Sequence, residues 1–141
     1  MEWGLRVYSA DNTESPNRQN RICLYVWNPG GGEGAGAYFQ DTVTPGQWIH
    51  VVAEATATGV RIYKNGVLRM TDDPLSPLYS VGATFADPAH PVTPVAGSAP
   101  LRIGTRNNMS YFQGAIAGVA IYTHLLSDTQ IHTHYLTAVG G

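Results

Sequence analysis

The 141 residues suffice for one packed domain and are too few for two independent cores. With 43% hydrophobic residues a core can form and a disordered chain is excluded, while 13% charged residues leave Thr, Ser, Asn, Gln, Tyr and Gly to carry the surface. Sixteen glycines and nine prolines argue against a helical bundle, and eight basic residues at a net charge of -2 give no electrostatic footprint for nucleic acid or an anionic membrane.

Trp3 to Ser9 alternates Trp, Leu and Val with Gly, Arg and Tyr, which predicts a half-buried strand. Arg21 to Trp27 is apolar on both faces, as in a strand that is central or lines a groove. It carries Cys23, the only cysteine, which excludes an internal disulfide and reads as a small core residue. A glycine-rich loop then precedes a short strand expected at Ala37 to Gln40. Pro45-Gly46 turns the chain into a strand at Trp48 to Ala55. Gly59 to Lys64 and Val67 to Met70 flank Asn65-Gly66, the sequence signal of a two-residue hairpin with positive φ at both turn positions.

Thr71 to Ala99 holds five prolines and no periodicity, and reads as a long loop of the kind that tends to carry function. Leu101 to Gly104 and Gly114 to Tyr122 are expected as two further strands. Ser127 and Gln130 make a capping box and Leu126 and Ile131 a hydrophobic staple. A short helix is therefore expected after Ser127, ending before Gly140-Gly141, with Ile131, Tyr135 and Leu136 as its buried stripe. About eight short strands and one terminal helix describe a single all-β domain over residues 1–141, an antiparallel sandwich of the jelly-roll type. No run is long enough to span a membrane, and the first residues lack the pattern of a signal peptide.

Several phrases, taken in order, resemble the laminin-G-like group of the concanavalin A-like lectin/glucanase superfamily. They are Trp48-Ile-His50-Val, Ile62-Tyr-Lys-Asn65-Gly66-Val-Leu, Pro100-Leu-Arg-Ile-Gly104, Phe112 to Tyr122, and Leu125-Leu126-Ser127-Asp-Thr-Gln-Ile131. The resemblance covers about residues 3 to 138 and implies two antiparallel sheets, one concave, with extracellular use in binding or adhesion as a module of a larger protein. Two departures accompany it. Ala117-Gly118 stands where relatives often carry Asp-Glu, and Trp3 opens a strand that relatives reach only after several others, so the domain reads as shortened at its N-terminal side. A homo-oligomer that covers that side is expected.

Catalysis has little support in the sequence. The ten acids form no pair on one strand of the kind a retaining glycosidase needs, and no nucleophile elbow is present. His50 reads as a packed, hydrogen-bonded core histidine, and His132 and His134 are two apart on a helix, too divergent to chelate one ion. Calcium needs hard oxygen ligands, and Asp41, Asn107 and Asn108 are the residues placed to offer them, because the resemblance implies calcium at one sandwich edge.

Sugar recognition needs flat aromatic faces beside planar polar groups. Tyr79 and Phe85 in the long loop, Tyr111 beside Asn107, and Trp27 are the candidates. Tyr8, Tyr25 and Trp27 can also share one sheet face with Arg6 by alternation. The expectation is a non-catalytic, extracellular carbohydrate-binding module whose partner is a polysaccharide or other glycan. The alternative is a protein-interaction or adhesion module with no sugar ligand.

Overall fold

The computed structural model describes residues 3–13, 19–27, 34–38, 41–56, 59–69, 97–106 and 108–140. Six strands form in chain order: β1 Trp3–Val7, β2 Ile22–Trp27, β3 Gly34–Tyr38, β4 Val51–Thr56, β5 Gly59–Lys64 and β6 Val67–Leu68. One helix, α1 Asp128–Gly140, follows. The strands pair antiparallel in two sheets of three, in the orders β1-β2-β3 and β4-β5-β6. The expected architecture, an antiparallel two-sheet sandwich with one C-terminal helix, is what the chain forms.

Alternation builds the core. Ile22, Leu24 and Val26 of β2 are buried with Val60 and Ile62 of β5, and Val7, Val43, Ile49, Val51 and Ala53 pack around them. Each fully buried aliphatic side chain stabilises such a core by about 1.5–3 kcal/mol. The opposite face of the second sheet is covered too: Tyr63 is enclosed by Leu126 and Ile131, with Val52 and Leu68 against them. Helix α1 is thus a third layer on the second sheet.

The turns obey their local chemistry. Gln47 donates its N–H to the Thr44 carbonyl across Pro45-Gly46, with Gly46 at φ 80° as a type II turn requires. Asn65 and Gly66 have φ of 53° and 77°, the values of the expected hairpin. Ser127 Oγ accepts the Gln130 N–H, and Gln130 Oε1 accepts the Ser127 N–H at 2.9 Å, which closes the capping box.

Four expectations are corrected. The third strand, expected at Ala37 to Gln40, already includes Gly34, Ala35 and Gly36, because pairing with β2 sets Gly34 and Gly36 opposite Trp27 and Tyr25 and overrides the glycine cost, while Phe39 and Gln40 lie outside the described residues. The fourth begins at Val51, leaving Trp48 outside the ladder and 70% exposed. Leu101 to Gly104 and Gly114 to Tyr122 join no sheet, since an alternating segment becomes a strand only where a neighbour completes its hydrogen bonds and no described strand lies beside them. Leu136 is 52% exposed, so the helix buries Ile131 alone. The long loop expected at Thr71 to Ala99 lies outside the described residues except for its last three.

Candidate functional site

Two surfaces carry aromatic side chains suited to a ligand. The first is the outer face of the first sheet, where register sets Arg6 opposite Cys23 and Gly4 opposite Tyr25. Tyr25 lies across Gly4, where a Cβ would stand 2.5 Å from its hydroxyl. The Arg6 guanidinium sits 4.5 Å from the Tyr8 ring centre and 5.0 Å from that of Tyr25. Burial opposes its charge, but hydrogen bonds to Cys23 and Tyr8 outweigh that and raise the group above the ordinary arginine value. The alternation that placed Arg6, Tyr8 and Tyr25 together is correct. A guanidinium covering two rings, one of them buried, leaves little aromatic surface for a sugar. Trp27 holds the register position opposite Gly34. Its side chain lies outside the described residues.

The second surface is a tight excursion between Gly104 and Phe112. Phe112 donates its N–H to the Gly104 carbonyl at 2.8 Å, and Arg106 and Met109 exchange both backbone bonds inside that pair. Thr105 Oγ1 donates to the Met109 carbonyl. Asn108 and Ser110 both sit in the left-handed region, at φ 57° and 53°. Such conformations cost on the order of 1 kcal/mol each and persist where neighbouring bonds enforce them. These bonds hold the described residues around Tyr111, which keeps 69% of its surface in water. The loop aromatic expected at Tyr111 is open, whereas Tyr79, Phe85 and Asn107 fall outside the described residues.

The acids of the described structure have structural partners. Asp41 accepts from Lys64 Nζ and, at 2.8 Å, from Arg69. Burial would raise its carboxyl, but these two cations outweigh it and hold the group below the ordinary aspartate value. Calcium at Asp41 would have to displace both cations. Glu54 is buried and accepts the Leu126 N–H at 3.0 Å, which anchors the chain as it enters the helix. Tyr63 donates its hydroxyl proton to Asp128 at 2.8 Å, and burial with that bond pushes the phenol up to about 12. Among the described residues no group of three or more His, Cys, Asp and Glu could hold a metal ion. No local motif in the sequence announces any of these long-range pairs.

Histidines gather where α1 meets the second sheet. His50 donates its backbone N–H to Asn65 Oδ1 at 3.0 Å, and its ring lies 6.1 Å from Tyr135. Its Nδ1 is enclosed without a hydrogen-bond partner, so the expected hydrogen bonding is made by the backbone and not by that ring nitrogen. Tyr122 stacks on His134, ring centres 6.0 Å apart. Burial, then the neighbouring His134, lowers the His50 pKa below its ordinary 6.5.

Between that lowered value and 6.5 the unfolded chain binds more protons than the folded one, so stability falls as pH drops through this window. The unfolding midpoint should therefore decrease as pH is lowered from about 7 to about 5. His50→Gln should flatten part of that slope in a thermal melt series. An unchanged slope in the variant would assign the acid sensitivity to other groups.

No curated protein matches the chain. A solved structure, the 2.1 Angstrom crystal structure of an S-layer domain-containing protein (residues 221–444) from Clostridium thermocellum ATCC 27405, is similar at 19% sequence identity with a TM-score of 0.39. The match covers 84% of this chain and 52% of that one, so the chain spans about half the length of that structure. A model of one family, Laminin_G_3, matches residues 8–132, nearly the whole sandwich and the start of α1. The chain belongs to that family, within the Concanavalin A-like lectin/glucanases superfamily.

Proposed function

We propose that this chain is a non-catalytic, extracellular carbohydrate-binding module and that the loop from Gly104 to Phe112 forms part of its ligand surface. The supporting observation is the exposure of Tyr111 on a loop fixed by backbone bonds. A pyranose ring presents C–H groups that stack on a flat aromatic face, and a preorganised loop lowers the ordering cost of that contact. Thr105, Asn108 and Ser110 lie on the same loop and offer hydroxyl and amide groups for sugar hydroxyls. The family, one of carbohydrate-binding or interaction modules, fits this reading. Tyr79, Phe85, Asn107 and Trp27 belong to the same proposal as further contacts.

A glycan-array screen with the chain identifies the ligand, and substitutions then test the site. Tyr111→Ala should weaken binding about tenfold, at the upper end of what one stacking contact supplies. The unfolding midpoint should stay nearly unchanged, because a mostly exposed side chain contributes little to the fold. Tyr79→Ala and Phe85→Ala extend the series. Binding that survives all three substitutions on a folded protein would remove this surface from the mechanism.

A further inference from the structure

Four of the chain's five histidines, His50, His124, His132 and His134, meet where α1 joins the second sheet. Tyr135 links two of them, its ring centre 6.1 Å from that of His50 and 6.3 Å from that of His132. Tyr122 links the other two, at 6.0 Å from His134 and 5.9 Å from His124. His132 also lies against the Gly66 turn, and that turn is tied to His50, because Asn65 donates its N–H to the His50 carbonyl and accepts the His50 N–H on its own Oδ1. Imidazole is the side chain that ordinarily changes charge between about pH 5 and 8, so the docking of α1 on the sheet changes in charge over that range.

The surroundings do not neutralise such a charge. The one acid of α1, Asp128, accepts the Tyr63 hydroxyl. In the second sheet Glu54 accepts the Leu126 N–H and stands opposite Arg61, while Lys64 and Arg69 are both held by Asp41. Each of these carboxylates therefore has another partner, and Lys64 adds a cation on the sheet side, next to Asn65.

The imidazoles do not respond alike. A charged His134 would stack on the Tyr122 ring, a favourable place for a cation. His50 has no such outlet: its Nδ1 is enclosed without a hydrogen-bond partner, so a proton there would meet no acceptor. Burial and the neighbouring His134 both favour the neutral ring, which is why the His50 pKa lies below its ordinary 6.5. Once α1 is lifted, His50 faces water and takes up a proton at that ordinary value. Release is thus coupled to proton uptake, and it becomes easier as pH falls below 6.5. The inter-sheet core has no such trigger, since Ile22, Leu24, Val26, Val60 and Ile62 are all aliphatic.

We propose that α1 is an acid-released cover: protonation of the histidine cluster lifts the helix from the second sheet while the two sheets stay together, which uncovers Tyr63, Val52 and Leu68. The proposal is independent of the glycan reading.

Hydrogen exchange of the whole chain tests it, read by mass spectrometry on peptides of α1 and of β2 at about pH 7.5 and about pH 5.5, and corrected for the intrinsic pH dependence of exchange. One proton taken up on release shifts the opening equilibrium by up to about tenfold per pH unit. The expected result is about a fivefold loss of protection in α1 at the lower pH, with β2 changed less than about twofold. His50→Gln, neutral at both pH values, should abolish most of the loss. Should that variant unfold, His134→Gln serves in its place and should at least halve the loss. Equal losses in α1 and β2 overturn the proposal. So does protection of α1 that does not depend on pH, or a loss that persists in full in the folded variant.

Discussion

Ile131→Ala is expected to reduce unfolding free energy by about 3 kcal/mol, within the range of roughly 2–5 for truncating a buried isoleucine. The side chain has 0% of its surface exposed and is the only residue of α1 that is buried. It closes the cluster of Tyr63 and Leu126, and Leu126 is its staple partner across the capping box. Its other contacts are at the helix margins: the Tyr63–Asp128 hydrogen bond, the His50–Tyr135 and Tyr122–His134 ring contacts, and the packing of His132 and Tyr135 against the Gly66 turn. Truncation therefore removes transfer free energy and leaves a cavity between α1 and the second sheet. A helix of 13 residues without its packing is marginal in water, so the far-UV helical signal should weaken before global unfolding. Urea denaturation followed by circular dichroism measures both effects. Leu136→Ala, at a half-exposed position of the same helix, should cost less than about 1 kcal/mol. Equal losses at the two positions would mean that α1 docks on a face other than the one holding Ile131.

The contrast between these two residues also shows what a sequence reveals. The staple and capping box involve residues three to five apart, and their chemistry is local, so the roles of Leu126, Ser127, Gln130 and Ile131 are legible in the amino-acid order alone. Asn65-Gly66 and Pro45-Gly46 are legible for the same reason, since positive φ is a property of the residue itself. Strands are different, because a ladder depends on a neighbour distant in sequence. Gly34 and Gly36 look like loop residues until β2 pairs with them, and the apolar run Gly114 to Tyr122 looks like a strand although no described strand lies beside it. In the proposed ligand surface the exposure of Tyr111 followed from its place in a turn. The closing of Tyr8 and Tyr25 by Arg6 did not follow, because alternation gives the face and not the rotamer that lays a guanidinium on a ring.

Gly66→Ala is expected to destabilise the chain by about 2–3 kcal/mol, far more than the same change at Gly46. At both sites φ is near +80°, where any L side chain costs roughly 1–2 kcal/mol, so the conformational loss is shared. Their surroundings differ. A Cβ at Gly46 meets nothing within 4 Å, whereas at Gly66 it would stand 2.9 Å from His132 Nδ1, 3.2 Å from the His132 Cα and 3.2 Å from the Tyr135 Cβ. The imidazole can swing away, but the helix backbone and the Tyr135 Cβ move only if α1 lifts from the β5–β6 hairpin. The double variant Gly66→Ala, His132→Ala should therefore recover only part of the loss. Thermal melts of the two single variants and the double variant decide the matter. Full rescue by His132→Ala would mean that the imidazole alone fills the gap and that the helix backbone does not bear on the turn.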